Sequence, residues 1–285
     1  MWTSRKSTQG RPALSSDQFQ IERLDVAAYL DRIGCTDLKD AAPDENLLRA
    51  VHRAHSLSIP FENLDILLGR GIRLDIDSLQ DKLVRRGRGG YCHEHNLLLA
   101  AALERLGFTV TRLSARILSG NAARRQPRTH IALRVAAGDA VYLADVGLGA
   151  EGLVDPVPWR EGEYADPDGW LHGIRRHPDA WELTVRRPNE QARPMYRITE
   201  EPSLPIDFEV ASHWTSTHPR SPFVTQPVVQ RRGADVRLIL SRDTLVEKFP
   251  DRDIVTRIGR NQLGSIITRR VGLPLTPDEL AQLAG

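Results

Sequence analysis

Three observations predict an α+β chain built in successive portions. Residues 20–106 carry helical apolar spacing, residues from Phe108 onward turn β-branched and alternating, and the remainder mixes short strand patterns with a capped terminal helix. At 285 residues the chain can bury a large core, divided over two or three sub-domains.

Each element follows from local chemistry. "LDVAAYLDRIG" has helical apolar spacing and stops at Gly34, a C-terminal glycine cap. "DENLLRAVHRAHSL" places Leu47, Leu48, Val51 and Ala54 on one face. "DSLQDKLVRRG" offers Asp77 as an N-cap and ends on basic residues, as the helix dipole favours. A fourth helix begins near Cys92 and ends before Gly107. Strands are then predicted at "FTVTRLSARIL" and through "THIALRVAAGDAVYLADVG", with the loop "SGNAARRQPR" between them. Further strands read at "AWELTVRR", "PMYRIT", "TQPVVQRR" and "DVRLILS", and a linking helix at Pro205 to Trp214. "TPDELAQLAG" closes the chain with a capping-box start at Thr276, Pro277 and Glu279.

Composition narrows the function classes. A net charge of +2 asks for no nucleic-acid or membrane partner. Two cysteines, Cys35 and Cys92, are too few for a secreted disulfide framework. The first seventeen residues lack the apolar core of a signal peptide, and the longest apolar run, Leu97 to Leu103, is far short of a membrane span. A soluble cytoplasmic protein is the expectation.

"RRGRGGYCHEHN" carries the chemistry. Two glycines let the backbone turn just where a helix starts at Cys92. A thiolate there faces unpaired backbone N–H groups and the positive end of the dipole, and Arg85, Arg86 and Arg88 add to that field. The bland alternative is a small buried hydrophobe. Cys35 follows a helix end, where no dipole favours a thiolate, and reads as structural.

A nucleophilic thiol needs a base, and the base needs an orienting group. Nine histidines compete for that role. A type II′ turn at Gly138-Asp139 would set Ala132 across from Asp145, with His130 on the adjacent diagonal. A turn at Ala137-Gly138 would set His130 directly opposite Asp145. In both registers imidazole and carboxylate share one sheet face, about 5 to 8 Å apart at Cβ. The alternatives are a turn carboxylate and a half-buried sheet histidine. Cys92, His93 and His95 lie close together and His52 and His55 form a helical i, i+3 pair, but no second cysteine pair exists and "CHEHN" is not H-E-x-x-H, so no metal is expected. His93 and His95 read as exposed or packing residues of the first turn.

These residues resemble a known family. "RGGYCHEHN" is similar to the active-site motif of the arylamine N-acetyltransferases, and "SIPFENLDI", "RTHIALRV", "YLADVGLG" and "WTSTHPRSPF" resemble further family segments in the same order. The resemblance implies an N-terminal helical bundle, a central β-barrel and a C-terminal α/β lid, with a papain- or transglutaminase-like triad of Cys92, His130 and Asp145. The partition would be a disordered tail at 1–19, the bundle at 20–107, the barrel at 108–203, a linking helical segment at 204–222 and the lid at 223–285. It implies ping-pong acetyl transfer from acetyl-coenzyme A, a cosubstrate and not a resident cofactor, to small aromatic amines or hydrazines.

Phe61, Tyr91 and Leu148 would line a slot for the aryl ring, with plain core packing as the alternative. Gly147 and Gly149 would admit coenzyme A close to the backbone, and Thr217 and Ser221 would hydrogen-bond to it. Arg88 and Glu62 would form a buried pair under the cysteine loop. The sequence departs from the family at Leu148, usually phenylalanine, and at His93, frequently an aromatic. An amide synthase releasing a polyketide macrolactam, or a thiol hydrolase, would use the same three residues.

Overall fold

The protein is described by a computed structural model covering residues 16–118, 126–233 and 235–284. Helices α1 (Val26–Ile33) and α2 (Glu45–Ser58) are capped by Asp25 and Asp44, whose carboxylates accept the Ala28 and Leu47 amide protons. Gly34 ends α1 with φ +74°, as its position after the last apolar residue predicts. Strand β1 (Phe61–Glu62) and α3 (Leu64–Leu67) lead to α4 (Ile76–Leu79), which continues as a π-helical stretch over Gln80–Arg85. The cap of α4 is Asp75, accepting the Ser78 amide proton, and not Asp77, which pairs with Arg23. Two aspartates of equal capping chemistry stand two residues apart, and tertiary contacts chose between them.

Helix α5 (Cys92–Arg105) is the axis of the N-terminal half; every residue from Cys92 to Leu103 is buried. From Leu97 to Leu103 it is apolar all round and has no solvent face to present. It packs in one core with Tyr29, Leu30, Leu48, Val51 and Leu83 on the helical side and with Ile131, Leu133 and Val135 on the sheet side.

Eight antiparallel strands follow the order β5-β4-β3-β2-β9-β8-β7-β6. They are β2 (Thr109–Ile117), β3 (His130–Ala137), β4 (Ala140–Ala144), β5 (Val157–Pro158), β6 (Gly162–Ala165), β7 (Leu171–Arg176), β8 (Trp181–Arg186) and β9 (Arg193–Pro202). The two outer strands β5 and β6 are joined by residues 159–161 alone, so the sheet curls into a nearly closed, barrel-like form. A second core, built on Leu113, Leu143, Leu183, Tyr196 and Trp170, fills it.

Helix α6 (Pro205–Thr217) runs three residues beyond its expected end at Trp214. A second sheet, β1-β10-β11-β12-β13, comprises β1 with β10 (Val228–Arg232), β11 (Arg237–Ser241), β12 (Thr244–Lys248) and β13 (Asp253–Arg257). Helices α7 (Arg260–Ser265) and α8 (Pro277–Ala284) complete the chain, and Thr276 and Glu279 form the expected capping box.

Several expectations need correction. Ser16–Phe19 forms a 3₁₀ turn, and Arg112 lies over the Phe19 ring at 3.8 Å, so the tail expected over 1–19 is ordered from Ser16; residues 1–15 lie outside the described residues. Residues 119–125 of the loop expected over 119–128 also lie outside them. The helical N-terminal portion donates β1 to the C-terminal sheet, Phe61 pairing with Gln230 and Glu62 with Val229. Two residues are too few to show alternation. The expected strands also omit β5, β6, β7, β12 and β13; β6 and β13 expose most of their residues, which removes the hydrophobic signal.

Candidate active site

The Gly89-Gly90 turn lies against β1. Glu62 donates its amide proton to the Gly90 carbonyl at 2.8 Å, and a Cβ on Gly89 would sit 2.0 Å from the Pro60 carbonyl oxygen. This close approach delivers the chain to Cys92 as the first residue of α5, where amide protons have no intrahelical acceptor. Glu94 secures the start by accepting the Tyr91 amide proton at 3.0 Å, while its other oxygen meets Lys82 Nζ at 2.8 Å.

Beneath the turn sits the expected Arg88–Glu62 pair, Nη2 and Nε both donating to Glu62 Oε1 at 2.8 and 3.1 Å. It belongs to a larger buried network: Arg88 also reaches Asp65 at 3.2 Å, and Lys82 bridges Asp65 and Glu94 at 3.0 and 2.8 Å. Through Glu279, 3.8 Å from Arg88 and 2.5 Å from Arg70, helix α8 joins it.

The β3–β4 hairpin turns at Gly138-Asp139, with φ +59° at Gly138, and pairs Ala137 with Ala140 and Leu133 with Ala144. Of the two registers weighed, this is the diagonal one. His130 Nε2 donates to Asp145 Oδ2 at 2.7 Å. Its second ring nitrogen is left for Cys92, so thiol, imidazole and carboxylate converge from α5, β3 and the end of β4. All three are buried, at 7%, 3% and 0% exposure.

Electrostatics follow from the geometry. Burial opposes ionisation of the Cys92 thiol, but His93 and His130 beside it overcome that and hold it down at about 6. For His130, burial disfavours the cation, yet Asp145 and then the thiolate raise it to about 10. Asp145 resists its own burial because His130 and Asn96 stabilise the carboxylate, keeping its pKa below the ordinary value.

Residues that sequence reasoning passed over hold this carboxylate. Asn96 Nδ2 donates to Asp145 Oδ1 and to the Ile131 carbonyl, both at 2.8 Å, and its oxygen accepts the Val146 amide proton. Gly147 N–H donates to Asp145 Oδ1 at 2.9 Å. His52 Nε2 accepts the Asp145 amide proton at 3.0 Å, so its Nδ1–H donates to the Val154 carbonyl at 2.8 Å. The Tyr196 ring covers His130 at 4.9 Å between centroids. Asn96 stood inside the quoted motif; His52 had no signal beyond its helical face.

His93 and His95 are both wholly buried, which corrects the exposed alternative. His95 Nε2 donates to the Pro60 carbonyl at 3.1 Å and its Nδ1 accepts from His55, which in turn accepts from Tyr29 Oη. His93 Nδ1 lies 3.5 Å from Cys92 Sγ. Cys35 is buried, and burial pushes its thiol up.

The expected substrate contacts fare differently. Phe61 and Tyr91 share the first core, where Phe223 packs 6.0 and 6.1 Å from their rings, whereas Leu148 packs on the second. Tyr91 is wholly buried and its hydroxyl pairs with Ser212. Phe61, Val146 and Gly149 line a cavity of about 10 Å³, room for about one water. The space at both glycines is taken by the chain itself: a Cβ at Gly147 would meet Cys92 Cα at 2.8 Å, and one at Gly149 would meet Gln230 Oε1 at 2.3 Å. Ser221 is buried, donating to the Thr215 carbonyl and capping Phe223, and exposed Thr217 donates to the His213 carbonyl. Neither hydroxyl has its proton free for another acceptor.

Comparison with known proteins identifies the family. Residues 45–279 match the model of a family described as N-acetyltransferase. An arylamine N-acetyltransferase of Mycolicibacterium smegmatis is 38% identical over 268 residues, covering 92% of this chain and 94% of that one. The crystal structure of Nocardia farcinica arylamine N-acetyltransferase superposes with a TM-score of 0.86 at 37% identity, over 94% of this chain and 95% of that one. The Mycobacterium marinum arylamine N-acetyltransferase, solved in complex with CoA, superposes with a TM-score of 0.84 at 29% identity, over 91% and 98%. By the match along its length, the chain belongs to the arylamine N-acetyltransferase family.

Proposed function

We propose that the protein transfers an acetyl group from acetyl-coenzyme A to small aromatic amines or hydrazines through an acetyl-Cys92 intermediate. The observation that carries this is the thiol at the start of α5, lowered to about 6, beside an imidazole tied to a buried carboxylate at 2.7 Å.

In the first half-reaction Cys92 Sγ attacks the thioester carbonyl carbon. The bond to the coenzyme A sulphur breaks, its electron pair leaves with that sulphur, and the His130 imidazolium supplies the proton. In the second, the amine nitrogen attacks the acetyl carbon, the carbon–Sγ bond breaks, and the amine proton passes to His130. Asp145 holds the Nε2–H tautomer, which leaves Nδ1 for the thiol. The Cys92 amide is the candidate oxyanion donor.

Residues 20–107, 108–203 and 223–285 act in this reading as bundle, barrel and lid, with 204–222 linking them. The family membership favours acetyl transfer over the macrolactam-forming amide synthase. Among the described residues no helix is long and apolar enough to cross a membrane.

The test incubates the protein with acetyl-coenzyme A and follows thiol release with and without an arylamine. Amine-dependent turnover with a 42 Da adduct on Cys92, roughly the mass of an acetyl group replacing a proton, is the expected result. Steady release without amine would favour the hydrolase, and no release at all would overturn the proposal.

A further inference from the structure

We propose that His93 is a second imidazole of the thiol site, donating its Nδ1–H to Cys92 Sγ whenever that sulphur carries charge. The inference rests on Cys92 being the acyl carrier and assigns a role to a residue that the triad does not use.

Geometry supports the donor. His93 Nδ1 stands 3.5 Å from Sγ, and the ring is wholly buried. Its Nε2 meets no hydrogen-bond partner among the described residues. A proton on Nε2 would therefore be a buried donor with nothing to bind, a costly arrangement. Placing the ring's single proton on Nδ1 removes that cost and aims the N–H at sulphur. The Thr129 carbonyl, also 3.5 Å from Sγ, suits the neutral thiol instead.

The ring is also held in place. The Tyr91 ring lies 5.2 Å from it and Phe208 of α6 meets it edge-on at 6.3 Å. Ser212, one helical turn after Phe208, binds the Tyr91 hydroxyl, so one face of α6 positions both rings. The two imidazoles differ in what lies behind them. His130 has Asp145 and is built to become a cation. Glu94, the carboxylate nearest His93 in the chain, is occupied by Lys82 and the Tyr91 amide. The ionisable groups around the thiol are thus His93, Tyr91 and the Glu94–Lys82 pair on or before α5, and His130 with Asp145 on the sheet.

In deacylation the amine proton goes to His130 and the electron pair of the breaking carbon–sulphur bond returns to Sγ. His93 transfers no proton; its N–H bond stabilises the sulphur as the charge arrives.

The full-length chain carrying His93→Phe, which suits a slot between Tyr91 and Phe208, is compared with His93→Asn, whose amide nitrogen can stand near the Nδ1 position. Iodoacetamide alkylation of Cys92 is followed against pH by mass spectrometry, and decay of acetyl-Cys92 is followed in single turnovers with an arylamine. Removing the donor should raise the alkylation midpoint by about one pH unit and slow deacylation roughly tenfold, with His93→Asn recovering much of both. An unchanged midpoint in His93→Phe, or equal shifts in the two variants, overturns the proposal. His93→Leu serves as the donor-free variant if the phenylalanine chain does not fold. Because alkylation needs no acetyl donor, failure of the acyl-carrier reading shows separately, as absence of acetyl-Cys92 in the unaltered protein.

Discussion

The two cysteines of this chain are almost equally buried, at 8% for Cys35 and 7% for Cys92, and their chemistry diverges. Cys35 lies just beyond the C-terminal end of α1, and burial together with Asp37 raises its pKa. Cys92 opens α5, and His93 and His130 lower its pKa although burial opposes ionisation there too. Burial alone therefore does not decide whether a thiol is inert. The end of the helix it occupies, and the rings delivered to it from elsewhere, do.

The largest break in the comparison is removal of each sulphur. Cys92→Ala should reduce amine-dependent turnover to background, whereas Cys35→Ala should keep it within a few-fold of the unaltered protein, because no step uses Cys35. Steady-state assays of the two variants check this; loss of activity in Cys35→Ala would undo the distinction.

Asp145→Asn should fold and lose on the order of 10⁴ in turnover, because an amide does not hold the imidazolium that forms at His130. The Cys92 alkylation midpoint should move from about 6 toward that of an ordinary thiol, while Cys35 is unaffected. Turnover and a site-resolved alkylation profile read both effects together.

Among the described residues, the network under the cysteine turn has no counterpart around Cys35. Arg88→Ala leaves Glu62 and Asp65 without a cation they both bind, and should cost about 3–5 kcal/mol in denaturant-monitored stability. A loss below 1 kcal/mol would show that Lys82 alone satisfies the carboxylates.

A milder test changes only the pH. The Cys92 thiolate is half formed at about 6, so its alkylation rate should level off about one unit above that and fall about tenfold per unit below it. Cys35, whose pKa is raised, should still be gaining reactivity well above neutral pH. Parallel alkylation profiles would mean that the two environments do not differ. The smallest effect is structural: Cys35→Ala should cost about 1 kcal/mol of stability, the loss of one small buried group.

Much of the site was legible in the chain because its signals are local. Glycines before a helix start, a two-residue turn between alternating runs, and the spacing from His130 to Asp145 are all written in neighbouring residues. The diagonal register followed from Gly138-Asp139 alone, since a two-residue turn sets every pair in its hairpin. Asn96, His52 and the fixed tautomers of His55 and His95 were not legible. Each acts through a hydrogen bond to a residue 35 or more positions away, such as His52 to the Asp145 amide. The close packing at Gly147 and Gly149 was equally hidden: the atoms nearest their backbone come from α5 and β10.

The sequence by itself determined the order of helices and main strands, the placement of a thiol at a helix N-terminus and the sharing of one sheet face by His130 and Asp145, because these depend on periods and turns a few residues long. Only the tertiary structure decided that β1 joins the C-terminal sheet, that Asp75 caps α4, and that two imidazoles meet the same sulphur. Those outcomes depend on which distant surfaces exclude water together, a property of packing that no short window of residues contains.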